Sequence, residues 1–230
     1  MRDSKRSSDV LPVLATSEDI KKSYGWLSNL YGSFEGIFEK GLRDRGLELL
    51  AVKEGETILE VGVGTGFSLL KIVKSVGRRG KAFGLDITRE MLVLTSKRLN
   101  RAGLADRVNL CEGDARVLPY KNNTFDAVYM AATLELFSTP DMHRVLRETG
   151  RVLKLCGRLG VISMSKEGKE DSWFVRSYEW MHQRFKQYAS CRPIYVEQAV
   201  MDAGFEVIKS QDYTVMKLVP MKLLLAESKL

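Results

Sequence analysis

From residue 57 onward, short apolar runs alternate with stretches in which apolar residues recur every three or four positions. The runs lie at 57–63, 81–87, 108–113, 125–133, 158–164, 206–211 and 214–219. The helical stretches lie at 66–76, 88–101, 140–153, 171–188 and 194–203. Strands that are apolar along their whole length need cover on both faces. The alternation therefore predicts an α/β fold, a mostly parallel sheet with helices on both sides. The last two runs differ, because only a short polar gap, SQDY, separates them. A parallel crossover takes about ten or more residues, so these two are expected to pair antiparallel.

Upstream, residues 1–16 are polar or irregular. From Ser17, which can cap a helix, Ile20, Tyr24, Leu27, Tyr31, Phe34 and Phe38 follow at helical spacing. A second helix is expected over about 39–50, with a break at Gly55. The chain thus divides into an N-terminal helical cap, residues 1–50, and a main domain, residues 51–230. The main domain carries one insertion of substance, at about 166–192. It holds Trp173, Phe174, Tyr178, Trp180, Met181, Phe185 and Tyr188. An aromatic helix there, beside the C-terminal edge of a sheet, is placed to cover a pocket.

Composition narrows the class. The 230 residues suit one domain with a full core, and 44% hydrophobic with 28% charged is an ordinary globular balance. No apolar run reaches the roughly 18 residues of a membrane-spanning helix. The N-terminus, MRDSKRSSDV, lacks the apolar stretch of a secretory signal. Cys111, Cys156 and Cys191 are scattered, so neither a disulfide framework nor a zinc site is expected. The expected location is the reducing cytoplasm, with peripheral contact at the inner face of the membrane as a variant. The net charge of +7 is spread among acidic residues, as in KEGKED and GLRDRGLE. That pattern fits a solvated basic surface, and no nucleic-acid partner is expected.

The candidate chemistry lies at the strand ends. The first strand closes on Leu59-Glu60-Val61-Gly62-Val63-Gly64-Thr65-Gly66. Glycines there allow a tight turn and close approach of a ligand to the backbone. A glycine-rich turn alone also serves NAD or FAD. Here the spacing is GxGxG, and Glu60 stands two residues before the first glycine. A dinucleotide needs the helix N-terminus open for its pyrophosphate. A carboxylate at that place instead suits an ammonium ligand such as S-adenosylmethionine (SAM), which carries no phosphate. The second strand ends in Asp86, where a carboxylate can accept from both ribose hydroxyls. The third ends in Glu112-Gly113-Asp114-Ala115, whose Asp can take an adenine amino group. Each Asp alone could equally be a helix cap or a turn former. Acidic positions at three successive strand ends make that joint coincidence much less favoured.

With LEVGVGTG, GLDIT, EGDARVLPY, FDAVYMAATLELF and LRETGRVLKLCGRLGVI in view, residues 20–165 resemble the class I SAM-dependent methyltransferases. Within them the likeness is to the quinone C-methyltransferase and phospholipid N-methyltransferase branch. The resemblance implies a Rossmann-like seven-stranded sheet of order 3-2-1-4-5-7-6 with strand 7 antiparallel. It implies that Glu60, Gly62, Val63, Gly64 and Gly66 surround the methionine part of SAM. Asp86 would bind ribose, with Ile87 and Met91 beside it, and Asp114 and Ala115 would flank adenine. Met130 and Ala131 would lie by the sulfonium, and Tyr31 would cover the methyl donor. Where the family has Lys-Pro-Gly-Gly, this chain has Lys154-Leu155-Cys156-Gly157, a departure at a turn before the fifth strand.

The acceptor is less legible. The Asn/Asp-Pro-Pro-Tyr motif of amino-group methylation is absent, and Tyr129-Met130-Ala131-Ala132 stands there instead. No Pro-Cys pair marks pyrimidine methylation, and Cys111 reads as core. Tyr24, Arg43, Glu135, Tyr178 and His182 are the candidates for the substrate pocket, and no strong general base stands out. That scarcity suits an amine or an electron-rich ring carbon, aligned with the methyl group in a dry site. The leading expectation is a small lipophilic acceptor, a quinone-type ring or a phospholipid head group. The broad apolar face of Trp26, Leu27, Leu30, Tyr31, Phe34, Ile37 and Phe38 either packs over the cofactor or also touches a bilayer. A soluble small-molecule N- or O-methyltransferase and a SAM-binding regulatory protein without turnover remain as alternatives.

Overall fold

The computed structural model describes residues 40–184, 192–216 and 218–229. In chain order the elements are α1 (Lys40–Leu50), β1 (Thr57–Val61), α2 (Phe67–Ser75), β2 (Lys81–Asp86), α3 (Arg89–Arg101) and β3 (Val108–Glu112). Then follow β4 (Phe125–Ala131), α4 (Thr139–Val152), β5 (Leu153–Met164), α5 (Trp173–Arg184), α6 (Val196–Asp202), β6 (Phe205–Val215) and β7 (Val219–Ser228). The strands form one seven-stranded sheet of order β3-β2-β1-β4-β5-β7-β6. The first five are parallel, and β7 runs antiparallel to both β5 and β6. This is the expected sheet.

Alternation along the strands splits the core into two layers. Ile58, Ala127, Tyr129 and Ile162 face α1, α2 and α3 in one cluster with Leu42, Leu50, Leu69, Ile72 and Leu99. Leu59, Val61, Val128 and Met130 face the opposite way, against Val145 and Leu146 of α4 and Ala199 and Val200 of α6. Glu60 has the parity of Ile58, so it points to the α1–α3 side. α1 lies close on the sheet. A Cβ on Gly46 would come within 2.6 Å of the Tyr129 hydroxyl, and that hydroxyl donates to the Arg43 carbonyl at 3.3 Å. Arg158 of β5 fixes the other end of α1, bonding the Leu50 carbonyl at 3.1 Å and Glu56 at 2.8 Å. α4 begins on Ser138, whose hydroxyl accepts from the Asp141 amide, with a proline in the first turn.

Three local expectations are corrected. The runs 206–211 and 214–219 do not pair with each other, because the first and the start of the second form one strand, β6, whose partner β7 lies further on. SQDY lies inside β6, the turn falls around Met216, and β7 continues through 220–228, which was not expected as strand. β6 is an edge strand with one solvated face, so it tolerates polar residues, whereas β7 is sandwiched between β5 and β6. Pairing with two neighbours overrides the helix-prone composition of Leu223 to Glu227. Second, β5 starts at Leu153 and bulges before Arg158, because Phe125 pairs with Leu153 and Ala127 with Arg158. Cys156 sits in that bulge at φ 58°, the left-handed region where the family places glycine. Third, Cys111 is half-exposed instead of buried, because β3 is the opposite edge of the sheet. The expected helix from Ser17 to Phe38, with Tyr24 and Tyr31, lies outside the described residues.

Candidate active site at the C-terminal ends of the strands

Parallel register puts the ends of β1, β2, β3 and β4 side by side. Val61 pairs with Leu85 and Met130, and Asp86 with Glu112. The chain then turns over the ends of β1 through Gly62, Gly64 and Gly66, at φ 74°, 50° and 78°. The Gly66 amide donates to the Val63 carbonyl at 2.9 Å within the loop, and the further contacts holding it come from other elements. The Leu85 carbonyl accepts from the Gly62 amide at 2.7 Å, and Asp86 Oδ2 accepts from the Gly64 amide at 3.0 Å. The Thr95 hydroxyl donates to the Gly64 carbonyl at 2.8 Å, and the Thr133 hydroxyl to the Val61 carbonyl at 3.2 Å. A Cβ on Gly62 would lie 2.3 Å from Thr133 Oγ1, so the turn there has room for glycine alone. Among the described residues a Cβ on Gly64 would meet nothing within 4 Å, so that backbone is open toward them. Thr95 belongs to no motif in the sequence, Thr133 lies within FDAVYMAATLELF without a role assigned to it there, and only the fold brings both to the loop.

Glu60 is 2% exposed, and its Oε2 has no hydrogen-bond partner among the described residues. Burial pushes its pKa up to about 8; the Ser68 hydroxyl and the Arg43 charge pull it down, and Asp86 raises it further. A buried carboxylate oxygen without a donor is costly unless a cation completes it. Arg43, one of the pocket candidates, is placed near Glu60, with its guanidinium 5.1 Å from the Phe67 ring centroid. Asp86 is also buried, which raises its pKa against the amides of Thr88, Gly64 and Ile87 that hold it down. Its Oδ1 accepts from the Thr88 amide at 2.9 Å. Asp86 therefore braces the glycine loop and the start of α3, and retains lone pairs for a ligand.

The other expected positions are placed unequally. Asp114 bonds Arg116, at 2.6 Å to Nη2, and Arg116 also reaches Asp141 at 3.3 Å. Val63, Met91, Ala115 and Met130 are buried, so backbone is what most of them offer. Ile87 and Ala131 are half-buried, and Ala132 turns the chain at φ 53°. Glu135 is 2% exposed and accepts from the Ser163 hydroxyl at 2.7 Å and the Met164 amide at 3.2 Å. It pins the short 3-10 turn Leu134–Leu136 to β5, a bracing task that the sequence did not reveal. Tyr178 lies on α5 with its ring 5.7 Å from Phe174. The side chain of His182 lies outside the described residues. α5 itself is anchored by buried Val175 and by an ion pair of Lys166 with Glu179 at 2.9 Å.

This sheet, with its glycine turn and carboxylates at three successive strand ends, is that of a class I SAM-dependent methyltransferase. Residues 13–174 match the ubiE/COQ5 methyltransferase family, and the chain belongs to it. It is 35% identical over 128 residues to a demethylmenaquinone methyltransferase of Lactobacillus johnsonii, a match that spans 56% of this chain and 52% of that protein. Against the demethylmenaquinone methyltransferase of Bacillus subtilis it is 25% identical over 234 residues, 93% of this chain and 95% of that one. Among solved structures, a SAM-dependent methyltransferase from Aquifex aeolicus is similar at TM-score 0.61 and 27% identity, over 81% of this chain and 89% of that one. The [4+2]-cyclase SpnF shares the fold at TM-score 0.76 and 22% identity, over 95% and 98% of the two chains.

Proposed function

We propose that the protein methylates a ring carbon of a reduced quinone, of the demethylmenaquinol type. The family's match across most of the chain carries the reading, together with the name of the near full-length relative. Those names favour a quinone ring over a phospholipid head group. The donor side rests on Glu60. Its unpartnered buried oxygen suits the ammonium of SAM, and the open backbone at Gly64 suits the methionine chain beside it. Asp86 would take the ribose hydroxyls. Asp114, shared with Arg116, and the backbone of Ala115 would flank adenine, and the backbone of Met130 and Ala131 would lie by the sulfonium. Bound SAM supplies an activated methyl group on a cationic sulfur. The protein holds the acceptor carbon in line with it and excludes water. The acceptor carbon gains the methyl group, the C–S electron pair stays on sulfur, and the ring proton leaves to water.

α5 supports a further part of this reading. Trp173, Arg176 and Trp180 are exposed at helical spacing on one face, opposite buried Val175. Aromatic rings with a cation suit the interface of an anionic bilayer, where a lipophilic acceptor resides. No described helix is long and apolar enough to cross a membrane. The test of the activity is incubation with methyl-labelled SAM and reduced 1,4-naphthoquinone, alongside a lipid extract. Label in a methylated naphthoquinone supports the proposal. Label in phospholipid, or none in the organic phase, overturns it.

A further inference from the structure

Arg192 is the most deeply buried cation among the described residues, at 1% exposure. Its Nη2 donates to the Phe137 carbonyl at 2.6 Å, while Nε and Nη1 have no hydrogen-bond partner among the described residues. The other buried cations are paired. Lys166 meets Glu179 at 2.9 Å, and Lys222 meets Glu167 at 3.0 Å and Asp212 at 3.1 Å. Burial is what acts on Arg192, lowering its pKa to about 10, so it stays cationic at neutral pH. A buried guanidinium without an anion destabilises a fold, and a native chain keeps one where something else completes it.

Its position says which ligand that is. Two residues on, Ile194 pairs with Ser165 just past the end of β5 and donates to the Met164 carbonyl at 3.1 Å. The guanidinium reaches Phe137, directly after the turn that follows β4. Arg192 therefore bridges the C-terminal ends of β4 and β5, whereas Glu60, Asp86 and Asp114 belong to β1, β2 and β3. We propose that Arg192 is an acceptor-binding residue whose uncommitted N–H groups hold a ring oxygen of the acceptor as the oxyanion. This rests on the quinol reading above. The hydroxyl proton leaves to water, and charge on that oxygen raises electron density at the neighbouring ring carbon, the atom that gains the methyl group. A cation fixed beside the oxygen favours the ionised form without a general base.

The probe is 2-hydroxy-1,4-naphthoquinone, a coloured acidic enol that is anionic at neutral pH. It is titrated into protein saturated with S-adenosylhomocysteine, by absorbance. Wild type is expected to bind it saturably, Arg192→Met to bind it about a hundredfold more weakly, and Arg192→Lys to fall between. S-adenosylhomocysteine affinity should stay within about twofold in both variants. Arg192→Met should also melt higher than wild type without ligand, because an uncompensated buried charge is gone. Equal probe affinity in wild type and Arg192→Met, or no saturable binding to wild type, overturns the proposal. A lower melting temperature with unchanged probe affinity would assign Arg192 to the fold instead. Turnover of naphthoquinol by wild type is scored separately, so failure of the acceptor reading is distinguishable from failure here.

Discussion

Replacing Glu60 by Gln tests the donor site most directly. In the ligand-free protein the carboxyl is buried with one oxygen unpartnered, and its pKa is about 8 against an ordinary 4.5. An ammonium ligand requires the ionised form, so binding near neutral pH must first remove a proton. At pH 7 that step costs about 1.4 kcal/mol. Between pH 6 and pH 7 wild-type affinity should therefore rise about tenfold, because each pH unit below the pKa removes tenfold of the competent form. The ligand's own α-amino group titrates near 7.7–8.0, so this window keeps it charged. Removing one member of a buried charge pair costs about 2–5 kcal/mol. Net of the deprotonation step, Glu60→Gln should weaken S-adenosylhomocysteine by about threefold to several hundredfold at pH 7. Its affinity should also be flat from pH 6 to 7. Stability should move the opposite way. A folded pKa above the unfolded one means the native state keeps a proton that the unfolded chain has lost. Wild-type stability then falls as pH rises from about 4.5 to about 8, and the variant should lose that slope and melt higher at pH 8. Calorimetric titration and thermal melts across this range decide the matter. A variant affinity within twofold of wild type, or a flat wild-type profile, would refute the assignment.

Four further outcomes are expected. Gly62→Ala should destabilise the protein by more than about 2 kcal/mol in urea unfolding, since a left-handed backbone and a 2.3 Å approach to Thr133 add together. Gly64→Ala should cost only the backbone term of about 1–2 kcal/mol, yet lower SAM affinity at least tenfold in titration, because its new methyl points into the ligand's space. Asp86→Ala should weaken SAM by about 1–3 kcal/mol and also loosen the loop held through the Gly64 amide, seen as faster hydrogen exchange there. Trp173→Ser with Trp180→Ser should reduce co-sedimentation with anionic vesicles while leaving naphthoquinol turnover in detergent unchanged; undiminished co-sedimentation would remove α5 from the membrane reading.

The sequence by itself determined the elements whose pattern is local. Periodicity located the strands from β1 to β4 and their helices. Apolar strands implied two covered faces, but the short gap SQDY misplaced the antiparallel pair, since it lies within β6. The motif Glu60 to Gly66, with Asp86 and Asp114 at the next strand ends, named the donor chemistry, because glycines and carboxylates at strand ends are spaced along the chain itself. Tertiary structure decided what depends on neighbours. It extended β6 through SQDY because an edge strand can leave one face in water, and it made β7 from 219–228 by pairing it on both sides. It showed Glu135 bracing Ser163 and the Met164 amide, and Asp86 holding the glycine loop. It brought the Thr95 and Thr133 hydroxyls to the glycine loop and Arg192 between the ends of β4 and β5, contacts that no spacing rule predicts. Burial and hydrogen-bond completion are properties of the assembled neighbourhood. That is why the unpartnered oxygen of Glu60 and the unpartnered nitrogens of Arg192 became visible only once the chain was folded.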